Sequence, residues 1–353
     1  MKAISSLRER DGHLVHGWYV ACLGEELRDK KLLARTIYDT PLVLFRDSGG
    51  RARALLDRCL HRHAQLSKGA WLEEGQVGCP YHGWVYNGEG QVTCVPSEGP
   101  KACSQKAKLR SFPVVEQDRC VWVWMGDGEP ATPAPTFRFP HFENKAWCSY
   151  FMITDFDNEV THLAENFMDV PHTVFVHSKW FRNAATIKVP IRVETGKGQV
   201  LVTYEQPSDQ IGFTGRILNP KNEPMTHTDL FIFPNITRVD YNFGAANAFI
   251  IISQITPVST LKSRVYTAII YRLGPFTHLM KPFFQFYTRR VIEQDVQIMA
   301  NQSESFRRDF ECRFQGTDAD VVHVAIERLR ELGAKGDPSV HAVTALEEKE
   351  IWI

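Results

Sequence analysis

The chain has 353 residues, 43% of them hydrophobic, and its 41 Lys and Arg are balanced by 41 Asp and Glu. A chain this long buries a large core and has room for two domains, while zero formal charge without a long basic run removes the footing that a nucleic acid or an anionic membrane requires. Met1 to Arg8 lacks the apolar core of a signal peptide, no run of about eighteen apolar residues follows, and eight cysteines are too sparse for a disulfide framework, so a cytoplasmic protein without a membrane-spanning segment is expected.

From Trp18 to Asp127 short apolar runs succeed one another without helical periodicity: Gly17 to Ala21, Leu32 to Tyr38, Pro41 to Arg46, Ala52 to Asp57 and Cys120 to Trp124. Turn signals at Asp47-Ser48-Gly49-Gly50 and Asn87-Gly88-Glu89-Gly90 separate several of them, which predicts a small all-β domain of hairpins. Four prolines between Pro130 and Pro140 read as a linker, giving an expected division into residues 1–130, a linker at 131–146, and a second domain at 147–353. That second domain begins with a partly helical segment, Glu159 to Val176. Thr186 to Val193 and Gln199 to Tyr204 then flank Gly196-Lys197-Gly198 like a hairpin, and further strands are expected at Thr228 to Phe233, Arg238 to Phe243, Ala248 to Ile255 and Arg264 to Tyr271. Long helices are expected at Phe283 to Phe310 and Asp318 to Leu332, the latter capped by Gly333, so the class is α+β.

Two pairs in the first domain carry chemistry. Cys59-Leu60-His61 and Cys79-Pro80-Tyr81-His82 put two thiols and two imidazoles on tight loops, separated by the residues from Arg62 to Gly78. The set suits tetrahedral zinc, but matched Cys-x-His and Cys-x-x-His loops suit a Rieske [2Fe-2S] cluster better, with both cysteines on one iron and both histidines on the other. His63 is then surplus, and Gly83, Trp84 and Tyr86 give close backbone approach and shielding from water.

Downstream, Asp169-Val170-Pro171-His172-Thr173-Val174-Phe175-Val176-His177 offers a second donor set. On a regular helix His177 falls about 140° around from His172, so a distorted helix or a helix end is expected, with Pro171 as its cause. Two imidazoles need a carboxylate to complete the facial triad of non-haem iron. Asp295 shares an inward face with Ile292 and Met299 and is the first choice, with Glu293 and Asp169 as competitors.

The chain resembles the oxygenase component, or alpha subunit, of Rieske non-haem iron oxygenases, especially the monooxygenase and demethylase branch. The resemblance runs through Cys59-Leu60-His61, Cys79-Pro80-Tyr81-His82-Gly83-Trp84, Glu165-Asn166-Phe167-Met168-Asp169-Val170-Pro171-His172, His177 and Gln294-Asp295. It implies an N-terminal Rieske domain, an α+β catalytic domain with an antiparallel sheet, and mononuclear Fe(II) on His172, His177 and Asp295. It also implies a head-to-tail homotrimer in which Asp169 hydrogen-bonds to a ligand histidine of each centre, and electrons that come from NAD(P)H through a separate ferredoxin or flavin reductase. Leu60 departs from the family's common Cys-Pro-His and bears on the geometry of that loop. The implied reaction is O2-dependent hydroxylation or oxidative demethylation, for which the abundance of aromatic side chains suggests a hydrophobic or aromatic small molecule; a ring cis-dihydroxylating dioxygenase and an electron carrier with a degenerate second site are the alternatives. Aromatics such as Phe167, Phe175, Trp180 and Tyr241 offer apolar surface to a substrate, although core packing is the simpler reading for any one of them, and Asn235, Arg238 and Gln254 suit either its polar groups or backbone and surface interactions.

Overall fold

The computed structural model describes residues 12–99, 106–130, 132–178, 187–205, 215, 217–244, 246–308 and 314–353. They form two compact units, Val15–Arg138 and Phe139–Ile353, the second including the described residues before Val15.

The first unit contains strands β1 (Trp18–Leu23), β2 (Leu33–Ile37), β3 (Thr40–Arg46), β4 (Ala52–Leu56), β5 (Ala70–Leu72) and β6 (Gln76–Gly78). These are followed by β7 (Val85–Tyr86), β8 (Val92–Cys94), β9 (Ser111–Phe112), β10 (Val114–Gln117) and β11 (Cys120–Trp124). They pair as three antiparallel sheets in the orders β1-β11-β10, β2-β3-β4-β9 and β5-β6-β7-β8. Both predicted turns form: the Asp47 carboxylate accepts from the backbone N–H groups of Gly49 and Arg51, and the Asn87 amide oxygen accepts from those of Glu89 and Gln91. Cys59 and Cys79 belong to the same apolar core as Val43, Phe45, Leu66, Val77 and Tyr86. Cys22 and Cys120 are buried in the neighbouring sheet, where desolvation pushes the Cys22 thiol up to about 12. Cys94 is half-buried, Cys148 is buried in the second unit, and Cys103 and Cys312 lie outside the described residues.

The second unit is built on one eight-stranded antiparallel sheet of β12 (Cys148–Phe156), β13 (Lys188–Gly196), β14 (Gln199–Tyr204), β15 (Met225–Ile232), β16 (Ile236–Phe243), β17 (Asn247–Ser259), β18 (Lys262–Leu273) and β19 (Ala345–Trp352). Their spatial order is β12-β18-β17-β16-β15-β14-β13-β19. Helices α1 (Val160–Met168), α2 (Thr173–Val176), α3 (Lys281–Arg308) and α4 (Val321–Ala334) accompany it. The buried residues of α3 are Phe284, Tyr287, Thr288, Ile292, Asp295, Met299 and Ser303, a single stripe at helical spacing whose one carboxylate is Asp295. Among the described residues no helix is long and apolar enough to cross a membrane.

Three features differ from the sequence expectations. Gly333 is not a cap: it lies inside the last turn of α4, where a Cβ would stand 2.3 Å from the Phe233 ring, and the left-handed residue after the helix is Gly336 at φ +69°. β12 was not anticipated, although Cys148, Tyr150, Met152, Thr154 and Phe156 alternate inward. β19 was not anticipated either, because Glu347, Glu348, Lys349 and Glu350 suppress any apolar alternation; it is an edge strand, and its charges suit that position.

Gly69 illustrates how tightly the small sheets are drawn around the cysteine loops. A Cβ there would stand 1.9 Å from the backbone oxygen of Gly78, the residue before Cys79. Gly69→Ala is therefore expected to destabilise the N-terminal unit by about 1–3 kcal/mol, the usual range for overpacking against atoms that cannot rotate away. Denaturant unfolding followed by tryptophan fluorescence measures it, and an unchanged midpoint would contradict the close approach.

Candidate metal centres

The two cysteine loops are closed by the same hydrogen bonds. Cys59 N–H donates to Ala64 O at 2.9 Å and His63 N–H to Cys59 O at 2.9 Å; Cys79 N–H donates to Trp84 O at 2.8 Å and Gly83 N–H to Cys79 O at 3.1 Å. His63 and Gly83 are thus equivalent residues, both left-handed, at φ +59° and +71°. That explains why His63 follows the motif: it turns the chain, and its side chain is exposed. Leu60 leaves this closure intact, since the first loop follows the hydrogen-bond scheme of the second.

Burial divides the four side chains by type. Cys59 is 1% exposed and Cys79 6%, whereas His61 is half-buried and His82 exposed. The His61 ring stacks on Trp84 at 5.1 Å and meets His82 at 4.5 Å, and His61 Nδ1 is buried with no hydrogen-bond partner. The backbone N–H groups of Tyr81 and His82 approach the Cys79 sulfur; desolvation outweighs them and holds the Cys79 thiol above its ordinary value. Tyr86 Oη accepts from Leu60 N–H at 3.0 Å and lies 3.1 Å from Cys59 Sγ, to which it would donate its proton once that sulfur is a thiolate. Sequence reasoning gave Tyr86 a shielding role and did not find this contact. Buried sulfurs, outward imidazoles and a buried orphan ring nitrogen are a donor set that fits a Rieske cluster.

In the second unit Pro171, which lacks an N–H, lies in the break between α1 and α2. His172 and His177 then flank the single turn of α2 as its N-cap and C-cap residues, so the helix end expected from their spacing is present. His172 Nε2 and His177 Nε2 are 3.3 Å apart, and Asp295 Oδ1 stands 3.5 Å and 3.2 Å from them. Both rings are anchored on their far side. His172 Nδ1 donates to the backbone carbonyl of Asp169 in a very short contact, and His177 Nδ1 donates to Gln294 Oε1 at 2.9 Å. With Nδ1 carrying the proton in each ring, both Nε2 lone pairs and Asp295 Oδ1 face one another.

Asp295 is 5% exposed and its Oδ1 meets no donor in hydrogen-bond geometry. An unpaired buried carboxylate is costly, so three converging acceptors fit a divalent cation. Burial pushes the Asp295 carboxyl up, and only a proton on His172 or His177 would pull it below the usual range. Glu293, the competing acid, is exposed and pairs with Arg290 at 3.3 Å. Asp169, the third acid, keeps Oδ2 3.7 Å from His172 Nδ1, outside hydrogen-bond distance, so its backbone carbonyl is the atom that holds the ring. Burial raises the Asp169 carboxyl against the opposing pull of His172.

The triad opens into a cavity of about 140 Å³, whose walls include Met152, Phe167, Val239, Phe249, Ile251 and Ile269. Phe167 and Tyr241 line it as expected, while Phe175 is 76% exposed and Trp180 lies outside the described residues. Of the two roles open to Asn235, Arg238 and Gln254 the structure shows the second: none lines the cavity, and each is held within the sheet. Asn235 donates to Ile255 O, Arg238 pairs with Asp240, and Gln254 accepts from Thr256.

Residues 17–113 match the family model of the Rieske [2Fe-2S] domain, and residues 157–332 match the vanillate O-demethylase oxygenase C-terminal domain. The chain therefore belongs to the Rieske non-haem iron oxygenases, with a Rieske-type domain and a triad fit for mononuclear iron. Among its relatives is the oxygenase component of dicamba O-demethylase from Stenotrophomonas maltophilia, 38% identical over 195 residues that span 54% of this chain and 56% of that protein. Another is the iron-sulfur subunit of a toluene-4-sulfonate monooxygenase system from Comamonas testosteroni, 34% identical over 53% of this chain and 54% of that one. The matched stretch spans about half the length of these curated relatives. The crystal structure of dicamba monooxygenase bound to dicamba is similar with a TM-score of 0.79 at 25% identity, covering 92% of this chain and 99% of that one. The fold is shared with Pseudomonas putida CBB5 NdmB, at a TM-score of 0.78 and 20% identity over 97% of this chain and all of that one.

Gln294 contacts no metal position directly and acts through His177. Gln294→Ala should weaken iron binding by about 10- to 100-fold, the usual effect of removing the partner that orients a ligating imidazole. Iron content after dialysis against a graded chelator measures it, and an unchanged affinity would show that the 2.9 Å contact does not orient the ring.

Proposed function

We propose that this chain is the terminal component of a Rieske monooxygenase system that hydroxylates or oxidatively demethylates a hydrophobic small molecule, aromatic ones included. The observation that carries this reading is the convergence of His172, His177 and Asp295 on an apolar cavity. In the proposed assignment Cys59, His61, Cys79 and His82 would hold the [2Fe-2S] cluster, and His172, His177 and Asp295 would hold iron. When bound, the cluster supplies stored electrons and ferrous iron supplies oxygen activation.

The protein's own groups do the positioning. The Asp169 carbonyl and Gln294 fix the protonated side of each imidazole, so both rings present a lone pair inward. Apolar walls from Met152, Val239, Phe249 and Ile251 exclude water and hold an apolar substrate beside the triad. For a methyl ether the overall balance is one ether, one O2, two electrons and two protons giving one alcohol or phenol, formaldehyde and water. The electrons come from NAD(P)H through a separate ferredoxin or flavin reductase. The division at 1–130, 131–146 and 147–353, the homotrimer, the cytoplasmic location and the role of Asp169 as a link between centres of neighbouring subunits complete the proposal, supported by the family membership.

The decisive assay supplies reduced holoenzyme with labelled dioxygen and single-ring methoxyarenes. Release of formaldehyde or incorporation of one labelled oxygen is expected, and a cis-diol carrying two would overturn the monooxygenase reading. His172→Ala should lose mononuclear iron and turnover yet keep the visible cluster absorption; joint loss of both signals would contradict separate sites. Tyr86→Phe removes a donor aimed at a ligating sulfur, so the cluster's reduction potential should fall, as spectroelectrochemistry would read. An unchanged potential would place the hydroxyl proton elsewhere.

A further inference from the structure

We propose that Asp229 sets the substrate class of the cavity, selecting single-ring molecules that present a hydrogen-bond donor or cationic group and disfavouring carboxylates; this rests on the oxygenase reading above. On β15 the inward residues are Met225, His227, Asp229 and Phe231, so an acid and an imidazole occupy a face that packing alone would fill with apolar side chains. Asp229 is 1% exposed and lies on the cavity wall. It is held in place by neighbours: Tyr204 Oη donates to Oδ2 at 2.9 Å, and His227 Nε2 lies 2.9 Å from Oδ1. The His227 ring is itself clamped between Tyr204 at 4.1 Å and Tyr241 at 4.3 Å.

The sheet register says what such a carboxylate does. Asp229 pairs with Val239, Val239 with Ile251, and Ile251 with Ile269, so these residues form one row across four strands, and all of them line the cavity. Adjacent strands stand about 4.8 Å apart. An aromatic ring lying on Val239 and Ile251 therefore places a short substituent at Asp229. The cavity volume of about 140 Å³ is close to the ~150 Å³ of an apolar cavity known to accept benzene. A carboxylate has about four lone-pair sites, of which Tyr204 occupies one and His227, as its Nε2–H tautomer, a second. An N–H or O–H of the ligand finds an acceptor there, whereas a ligand carboxylate meets like charge in a region shielded from water.

The test is a binding titration of holoenzyme by calorimetry without dioxygen, so that nothing turns over. The probes are 4-methoxybenzamide and 4-methoxybenzoate, matched in size and differing in N–H donors and charge. The protein should bind the amide at least about tenfold more tightly, and Asp229→Asn should bring the two ligands within about threefold. Tyr204→Phe keeps the carboxylate and removes one internal donor, so the preference for the amide should persist. Should Asp229→Asn not fold, as judged by thermal melting and cluster absorption, the parent and Tyr204→Phe ratios still decide. Tighter binding of the benzoate by the parent, binding of neither ligand, loss of the preference in folded Tyr204→Phe, or full preference retained in folded Asp229→Asn would overturn the assignment. Because binding is read without catalysis, a failure of the oxygenase reading appears separately, as absence of O2-dependent product.

Discussion

The second unit is organised around a buried carboxylate. Asp295 turns one oxygen toward two imidazole nitrogens, none of which has a proton to offer, and the arrangement persists because a long apolar stripe on α3 fixes where that acid points. A buried acceptor of this kind is stable only with a cation or a proton among the three atoms. The helix break at Pro171 and the flanking positions of His172 and His177 follow from the same requirement, since two imidazoles five residues apart cannot reach one point from a continuous helix.

The first unit solves a similar problem by repetition. Two loops with the same closure place their sulfurs inside the apolar core and their imidazoles outside it, and one left-handed residue in each turns the chain back. Burial of the sulfurs and exposure of the histidine side give the site a direction. Tyr86 reaches the Cys59 sulfur from within the core, where neither loop has a side chain to spare.

Much of this was legible because ligand chemistry ties residue type to spacing. The cysteine and histidine loops need no tertiary information, and the 3.6-residue period separates Asp295, on the buried face, from Glu293, which is exposed beside Arg290. The partners of those residues were less accessible. Gln294 lies 117 positions from His177, and the hydroxyl of Tyr86 is 27 positions from the sulfur it meets, so neither contact leaves a local pattern. Asn235, Arg238 and Gln254 stayed open between two roles for the opposite reason: polar side chains in strands look available to a ligand until the sheet shows them bonded to nearby strand residues. β12 carried a readable alternation, while β19 had its apolar signal replaced by charge at a sheet edge.

The order of the eight-stranded sheet has a consequence for how the chain reaches its native state. β13 is an inner strand whose outer neighbour is β19, and their pairing joins Lys188 to Trp352 and Thr195 to Ala345. As a ribosome lengthens the chain, β13 waits for a partner made more than a hundred residues later, with its hydrogen-bonding edge open throughout. Once made, β19 becomes the edge of the sheet, and the acidic run that makes it hard to recognise keeps that edge from pairing with other chains.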